Sequence, residues 1–359
     1  MKKKLQIQNP KIILKRFNRK LAFKTNRKVK RRLLNSLRSD LRKNYSYLDR
    51  KLNTYNLLRV PNILSLNKDP YQFVDFIKKF ENLKSSNNKK PFFFDLLHVE
   101  ELDFSGISLL IALRYKLKLY SIDFNGRNPK KQELCNLLGE YQFLEQMGIV
   151  PSYEDIHFSL GKKNDKITIK GDSKVKPELG IEIADYVSNK LFGKAGLVND
   201  GLQTMLLELM ANTFKWSSQP NGHNLWLLTM SFNKIEKRIE FQFIDFGIGV
   251  FESLKNSKVY EKWFGYALNI LQSNSNIFKD MLNANSNVFK SSTGLYFRGK
   301  GIPSIKENYE KRFYDDVNIL TNNIFVDLKN EKYINLADNF TGTLVNWTID
   351  ANNEFIQLL

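Results

Sequence analysis

Residues 239–249 read Ile-Glu-Phe-Gln-Phe-Ile-Asp-Phe-Gly-Ile-Gly, with Ile239, Phe241, Phe243 and Asp245 alternating on one side. Period two is the signature of a strand with one buried face. An acid closes this strand on its own apolar side, and a Gly-x-Gly turn follows at once. A D-x-G-x-G turn alone says little, because glycine is common wherever a strand must turn with φ above zero.

Further upstream, strands and helices alternate. Tyr71 to Leu83 has the spacing of an amphipathic helix, and Ser85 to Lys90 that of a polar turn. Pro91 to Leu97 is a short apolar run of buried-strand type. A Ser-Gly turn then opens a helix with Leu109, Leu110, Leu113 and Leu117 on one face, Ser121 to Gly126 reads as a strand, and a further helix is expected to run to Gly148. Such alternation predicts βαβ units with parallel strands. Beyond a polar patch at Gly161 to Lys176, Ile167 and Ile169 alternate with Thr168 and Lys170 as in a strand. The chain has 359 residues. That is more than one core usually serves, so two domains are expected.

Charge is unevenly placed. Residues 1–50 hold 18 Lys and Arg against Asp40 and Asp49, which accounts for nearly all of the net charge of +19. Leu33, Leu37, Leu41, Tyr45, Leu48 and Leu52 recur along this basic arm at helical steps. The stripe either docks on the protein's own body or leaves the arm to contact nucleic acid or another polyanion. No run approaches the ~20 apolar residues of a spanning helix, and no secretory leader is evident. Cys135 is the single cysteine, so no internal disulfide or thiolate-rich zinc site forms, in keeping with a reducing cytoplasm. His98, His157 and His223 are too scattered for a histidine metal site.

In Leu206 to Ser217, Glu208 and Asn212 stand four apart on one helical face, with Lys215 three residues on. Alone, that spacing describes a solvated face. In chain order there follow Asp245 with Gly247 and Gly249, then Arg298-Gly299-Lys300-Gly301 just before a helix with Pro303 in its first turn, then a closing strand whose start carries Thr341, Gly342 and Thr343. Glycine-rich helix starts offer N–H groups to anions.

Taken together, these four motifs resemble the GHKL ATP-binding superfamily, over roughly Lys176 to Asp350. The stretch from about Leu57 to Tyr153 resembles a STAS domain, the fold of anti-sigma-factor antagonists. That likeness rests on Asp95 ending the central strand, on Asp103-Phe104-Ser105-Gly106 at a helix entry, and on Asn125-Gly126. The expectation is an α/β chain in α+β sandwich form: a basic helical arm at 1–56, a STAS-like mixed sheet with helices at 57–155, and a GHKL Bergerat-type sandwich at 160–359.

The GHKL resemblance implies ATP and Mg²⁺ as cofactors. It implies Glu208 as general base, Asn212 as magnesium ligand, Lys215 near phosphate and Asp245 as acceptor for the adenine amino group. Gly247 and Gly249 would let backbone pass close to the base, and Arg298, Gly299, Lys300 and Gly301 would hold phosphate. Thr343 would bond Asp245 or adenine, and Phe251 to Phe297 would be a mobile lid. The STAS family's usual hydroxyl acceptor is replaced here by Phe104, and Ser105 is expected to serve as a helix N-cap.

No histidine has a phosphoacceptor context, and no G-x-x-x-x-G-K-[ST] or G-x-S-x-G motif occurs. The leading expectation is a cytoplasmic, bacterial signalling ATPase with a protein partner, a separate STAS protein or an effector. A serine/threonine kinase of the anti-sigma type is one alternative. The other is a non-catalytic, nucleotide-gated module holding nucleic acid or an effector through residues 1–50; the oligomeric state stays open.

Overall fold

The computed structural model describes residues 53–86, 90–141, 143, 165–171, 175–194, 196, 200–216, 225–250, 252, 273–283 and 301–352. The expected basic arm falls almost wholly outside that set. Packing divides the chain into two units, Met1–Leu57 and Leu58–Leu359. The second is a mixed α/β body.

Its first part holds β1 (Asn56–Arg59), β2 (Ile63–Leu64), α1 (Pro70–Ser85), β3 (Phe92–Asp95), β4 (Glu101–Leu102), α2 (Phe104–Leu119), β5 (Phe124–Arg127) and α3 (Gln132–Glu140). β3 and β5 pair in parallel, with α2 between them in the chain, and β2 pairs in parallel with β4. The expected βαβ unit is therefore present, and β3 is the central strand of the order β1-β3-β5. α1 starts where expected because the Asp69 carboxylate accepts from Gln72 N–H and Pro70 sits in the first turn.

Two local expectations are corrected. Asp103, not Ser105, caps α2: its carboxylate accepts from Gly106 N–H at 2.9 Å, while Ser105 is already helical. The helix expected to reach Gly148 ends at Glu140, where the Tyr141 N–H turns back onto the Leu137 and Gly139 carbonyls.

The second part holds β6 (Lys166–Gly171), α4 (Pro177–Phe192), α5 (Asp200–Trp216), β7 (Trp226–Asn233), β8 (Arg238–Asp245), α6 (Asn274–Asn283), α7 (Gly301–Glu310), β9 (Asp315–Asp327) and β10 (Lys332–Asp350). Five antiparallel strands make one sheet in the order β6-β7-β8-β10-β9.

Both faces of this sheet are covered. Alternate residues Ile239, Phe241 and Phe243 of β8, with Trp226, Val345 and Trp347, share a core with α4, α5, α6 and α7. The intervening Ile244, with Leu227, Leu320 and Leu344, shares a second core with α1, α2 and β3. Period two thus sorts each strand between two layers. Phe241 stacks on its cross-strand partner Trp347 with ring centroids 4.9 Å apart, and Trp226 stacks on Phe243. Such aromatic pairs add to the stabilisation that burial itself provides.

α2 explains why a single apolar face was too narrow a description. Its leucines 109, 110, 113 and 117 are buried, and so are Ile107, Ser108, Ile111, Ala112, Tyr115 and Lys116. A helix enclosed on all sides carries little amphipathic contrast.

Candidate functional site

Asp245 is 5% exposed, at the end of β8. Its side chain follows the parity of Ile239, Phe241 and Phe243 and so belongs to the helix-covered face. Trp226 of β7 and Thr343 of β10 are its cross-strand neighbours, and Thr321 of β9 pairs with Thr343. One row thus crosses four strands.

The acid is held by donors. Gly247 N–H reaches its Oδ1 at 2.8 Å, and the hydroxyl and N–H of Thr343, its cross-strand partner, also favour its ionised form. Burial pushes the Asp245 carboxyl up to about 6, against these hydrogen bonds and the nearby Lys116 charge, which favour the ionised form. An ionised carboxylate accepts about four hydrogen bonds, so one further donor can be taken.

The glycine turn has a clamp that the sequence did not reveal. Gly249 adopts φ +83°, and a side chain there would strike Asn322. Asn322 Nδ2 donates to the Ile248 carbonyl at 2.9 Å, and its Oδ1 accepts from Glu252 N–H at 3.2 Å. Thr321 Oγ1 accepts from Val250 N–H at 2.8 Å and donates to the Gly342 carbonyl at 3.1 Å. The β9–β10 register shifts between Phe340 and Thr343, where Gly342 takes φ +145° beside the Asp245 carbonyl. That irregularity brings β9 side chains onto a turn that leaves β8. The signal was a Thr-Asn-Asn insert, residues 321–323, inside an apolar strand.

Glu208 and Asn212 share a face of α5, as their spacing predicts, and both are half-buried. The adjoining stripe, Leu202, Met205, Leu206, Leu209 and Met210, fixes that face by entering the core. Lys215 lies in the last turn of the helix. The first turn of α5 is pinned, because the Tyr314 hydroxyl donates to the Gly201 carbonyl and the Phe313 ring abuts Gly201.

α7 ends just before that Phe313 and packs along α5. Gly301 is helical. Arg298, Gly299 and Lys300 lie outside the described residues.

The lid expectation is corrected in part. Within residues 251–297, α6 is a core helix: Phe278 and Leu282 enter the central cluster, and Ser275 N–H donates to Asn335 Oδ1 at 3.0 Å. The remainder of that stretch, apart from Glu252 and Ser273, lies outside the described residues.

In the first part of the body, Asp95 forms a two-pronged ion pair with Arg127, Nη2 to Oδ2 at 2.6 Å. Burial raises the Asp95 carboxyl, but Arg127 and Leu97 N–H outweigh it and hold it below the ordinary aspartate value. Ser105 is buried; its Oγ donates to Asp103 at 2.6 Å and accepts from Leu66 N–H at 2.9 Å.

Among the described residues no group of three or more His, Cys, Asp and Glu could hold a metal ion. None of their helices is long and apolar enough to cross a membrane. No protein-family model matches the chain, and no curated protein matches it.

Proposed function

We propose that the five-stranded sheet and its helices form a GHKL-type site for Mg·ATP, that the preceding layer is STAS-like, and that the protein is a cytoplasmic ATPase signalling to a protein partner. The observation that carries this reading is Asp245: a buried carboxylate on the helix-covered face, held by two residues, with capacity for one more donor. An adenine amino group is such a donor. A buried acid whose pKa is raised is a candidate for a functional site.

The donor set suits the cofactor pair. Magnesium takes oxygen ligands and keeps phosphate and water among them, so one amide oxygen, from Asn212, is enough from the protein. When bound, the magnesium ion would neutralise phosphate charge. The Gly301 N–H would face phosphate, and Lys215, Arg298 and Lys300 would add positive charge around it. Glu208 would accept the proton of the attacking water. Gly249 and Asn322 keep the turn beside Asp245 fixed, so the base meets backbone already in place.

A kinase reading needs a phosphoryl acceptor. Ser105 is enclosed and doubly hydrogen-bonded, so in this reading the acceptor hydroxyl belongs to another protein. The net charge carried by residues 1–50 favours a further contact with nucleic acid, which steep salt dependence of binding would reveal.

ATP turnover and ATP binding by wild type, Glu208→Ala and Asn212→Ala test the enzyme reading. The expected result is binding without turnover for Glu208→Ala and loss of magnesium-dependent binding for Asn212→Ala. Equal turnover by all three proteins overturns it.

A further inference from the structure

The turn that carries Asp245 also touches the other layer. Phe246, the residue after Asp245, points by parity to the opposite face of the sheet and enters the core shared with α1 and α2. There the Lys116 ammonium of α2 lies 4.2 Å from the Phe246 ring centroid, in cation–π geometry. Phe340 meets the same ring edge-on at 6.5 Å. Lys116 is only 3% exposed, rare for a lysine.

What allows that burial is Glu81 of α1, whose Oε1 accepts from Lys116 Nζ at 2.7 Å. Lys84 shares the same carboxylate at 3.4 Å. Burial lowers the Lys116 pKa, while Glu81 supports its charge and Lys84 opposes it. The charged groups bearing on Lys116 are thus Glu81 and Lys84 from α1 and Asp245 from β8. Those bearing on Asp245 are Lys116 and the uncharged donors Thr343 and Gly247.

An ordinary structural lysine would extend its head to water. This one keeps a buried charge against the ring that follows Asp245. We propose that Lys116 is a positioning residue for the Asp245 turn: its ammonium, paired with Glu81, packs on Phe246 and fixes the backbone from which Asp245 projects. Base recognition by the five-stranded sheet then depends on the α1–α2 layer. A partner that engages Glu81, a quarter-exposed side chain, alters the site without reaching it. The inference rests on the proposed nucleotide site for its consequence, but not for its test.

The test is the pH dependence of unfolding free energy for the full chain. The component missing from Asp245→Asn is the titration of Asp245, and its midpoint is read without any nucleotide. Lys116→Met should move that midpoint up, and Lys116→Arg should restore it. Glu81→Leu/Lys116→Met removes both buried partners, a change that cores tolerate, and should also move it up. In parallel, Lys116→Met should weaken ATP binding little at about pH 8 and increasingly as pH falls through about 6, where Asp245 titrates. The same midpoint in wild type, Lys116→Met and the double variant overturns the proposal. A shifted midpoint in a protein that binds no ATP leaves the proposal standing and removes the nucleotide reading instead.

Discussion

Thr343 faces Asp245 across the β8–β10 pair, and the Gly247 N–H donates to the Asp245 carboxylate at 2.8 Å. The pair sits on the helix-covered side of a sheet whose next residues, Phe246 and Leu344, face the other layer. An acid there is costly, and the cost has a pH signature.

The folded-state pKa of Asp245, about 6, lies above the ordinary 3.8. Between those values the folded protein binds more protons than the unfolded chain, so stability contributed by this group is present at low pH and lost as pH rises through 6. Two units correspond to a loss on the order of 3 kcal/mol. Asp245→Asn should therefore be more stable than wild type at about pH 8, with the gain fading toward about pH 4. Denaturant midpoints across that range read the difference. A variant less stable at high pH contradicts the burial argument.

Gly249→Ala should cost about 1 to 3 kcal/mol, since φ +83° and the Asn322 side chain both oppose a methyl group. In an Asn322→Ala background the steric share of that cost disappears. A double-mutant cycle in urea measures the coupling, and strict additivity would show that the clamp does not hold the turn.

Arg127→Met should destabilise by about 3 kcal/mol at neutral pH, because it strands Asp95, which is 2% exposed. The Asp95 carboxyl is held low, so its contribution is present above the ordinary aspartate value and lost as pH falls through its folded value. The gap between variant and wild type should narrow below about pH 4. A constant gap would assign the loss to packing rather than charge.

Much of this was legible in the chain. β8 and β6 were readable because their apolar residues alternate with period two, and α5 because its stripe of Leu and Met leaves Glu208 and Asn212 beside it on one half-buried face. The enclosure of α2 was not, since a helix between two layers is apolar nearly all round and resembles any core helix. Lys116, set in Arg-Tyr-Lys-Leu-Lys, reads as one more solvated lysine; only its distance to Phe246, 130 positions away, gives it a role. Asn322 was hidden for a related reason. It reaches the glycine turn because a bulge in β10 brings β9 to it, and no local pattern encodes that approach.

Nucleotide specificity tests the central claim most directly. Calorimetric titration of the full chain with Mg·ATP and with Mg·GTP should give binding for ATP alone. GTP presents a carbonyl where adenine offers its amino group, and an acceptor carboxylate repels it. Asp245→Asn should lose most of the ATP affinity while remaining folded. Equal affinity for the two nucleotides, or undiminished ATP binding by Asp245→Asn, would contradict the account.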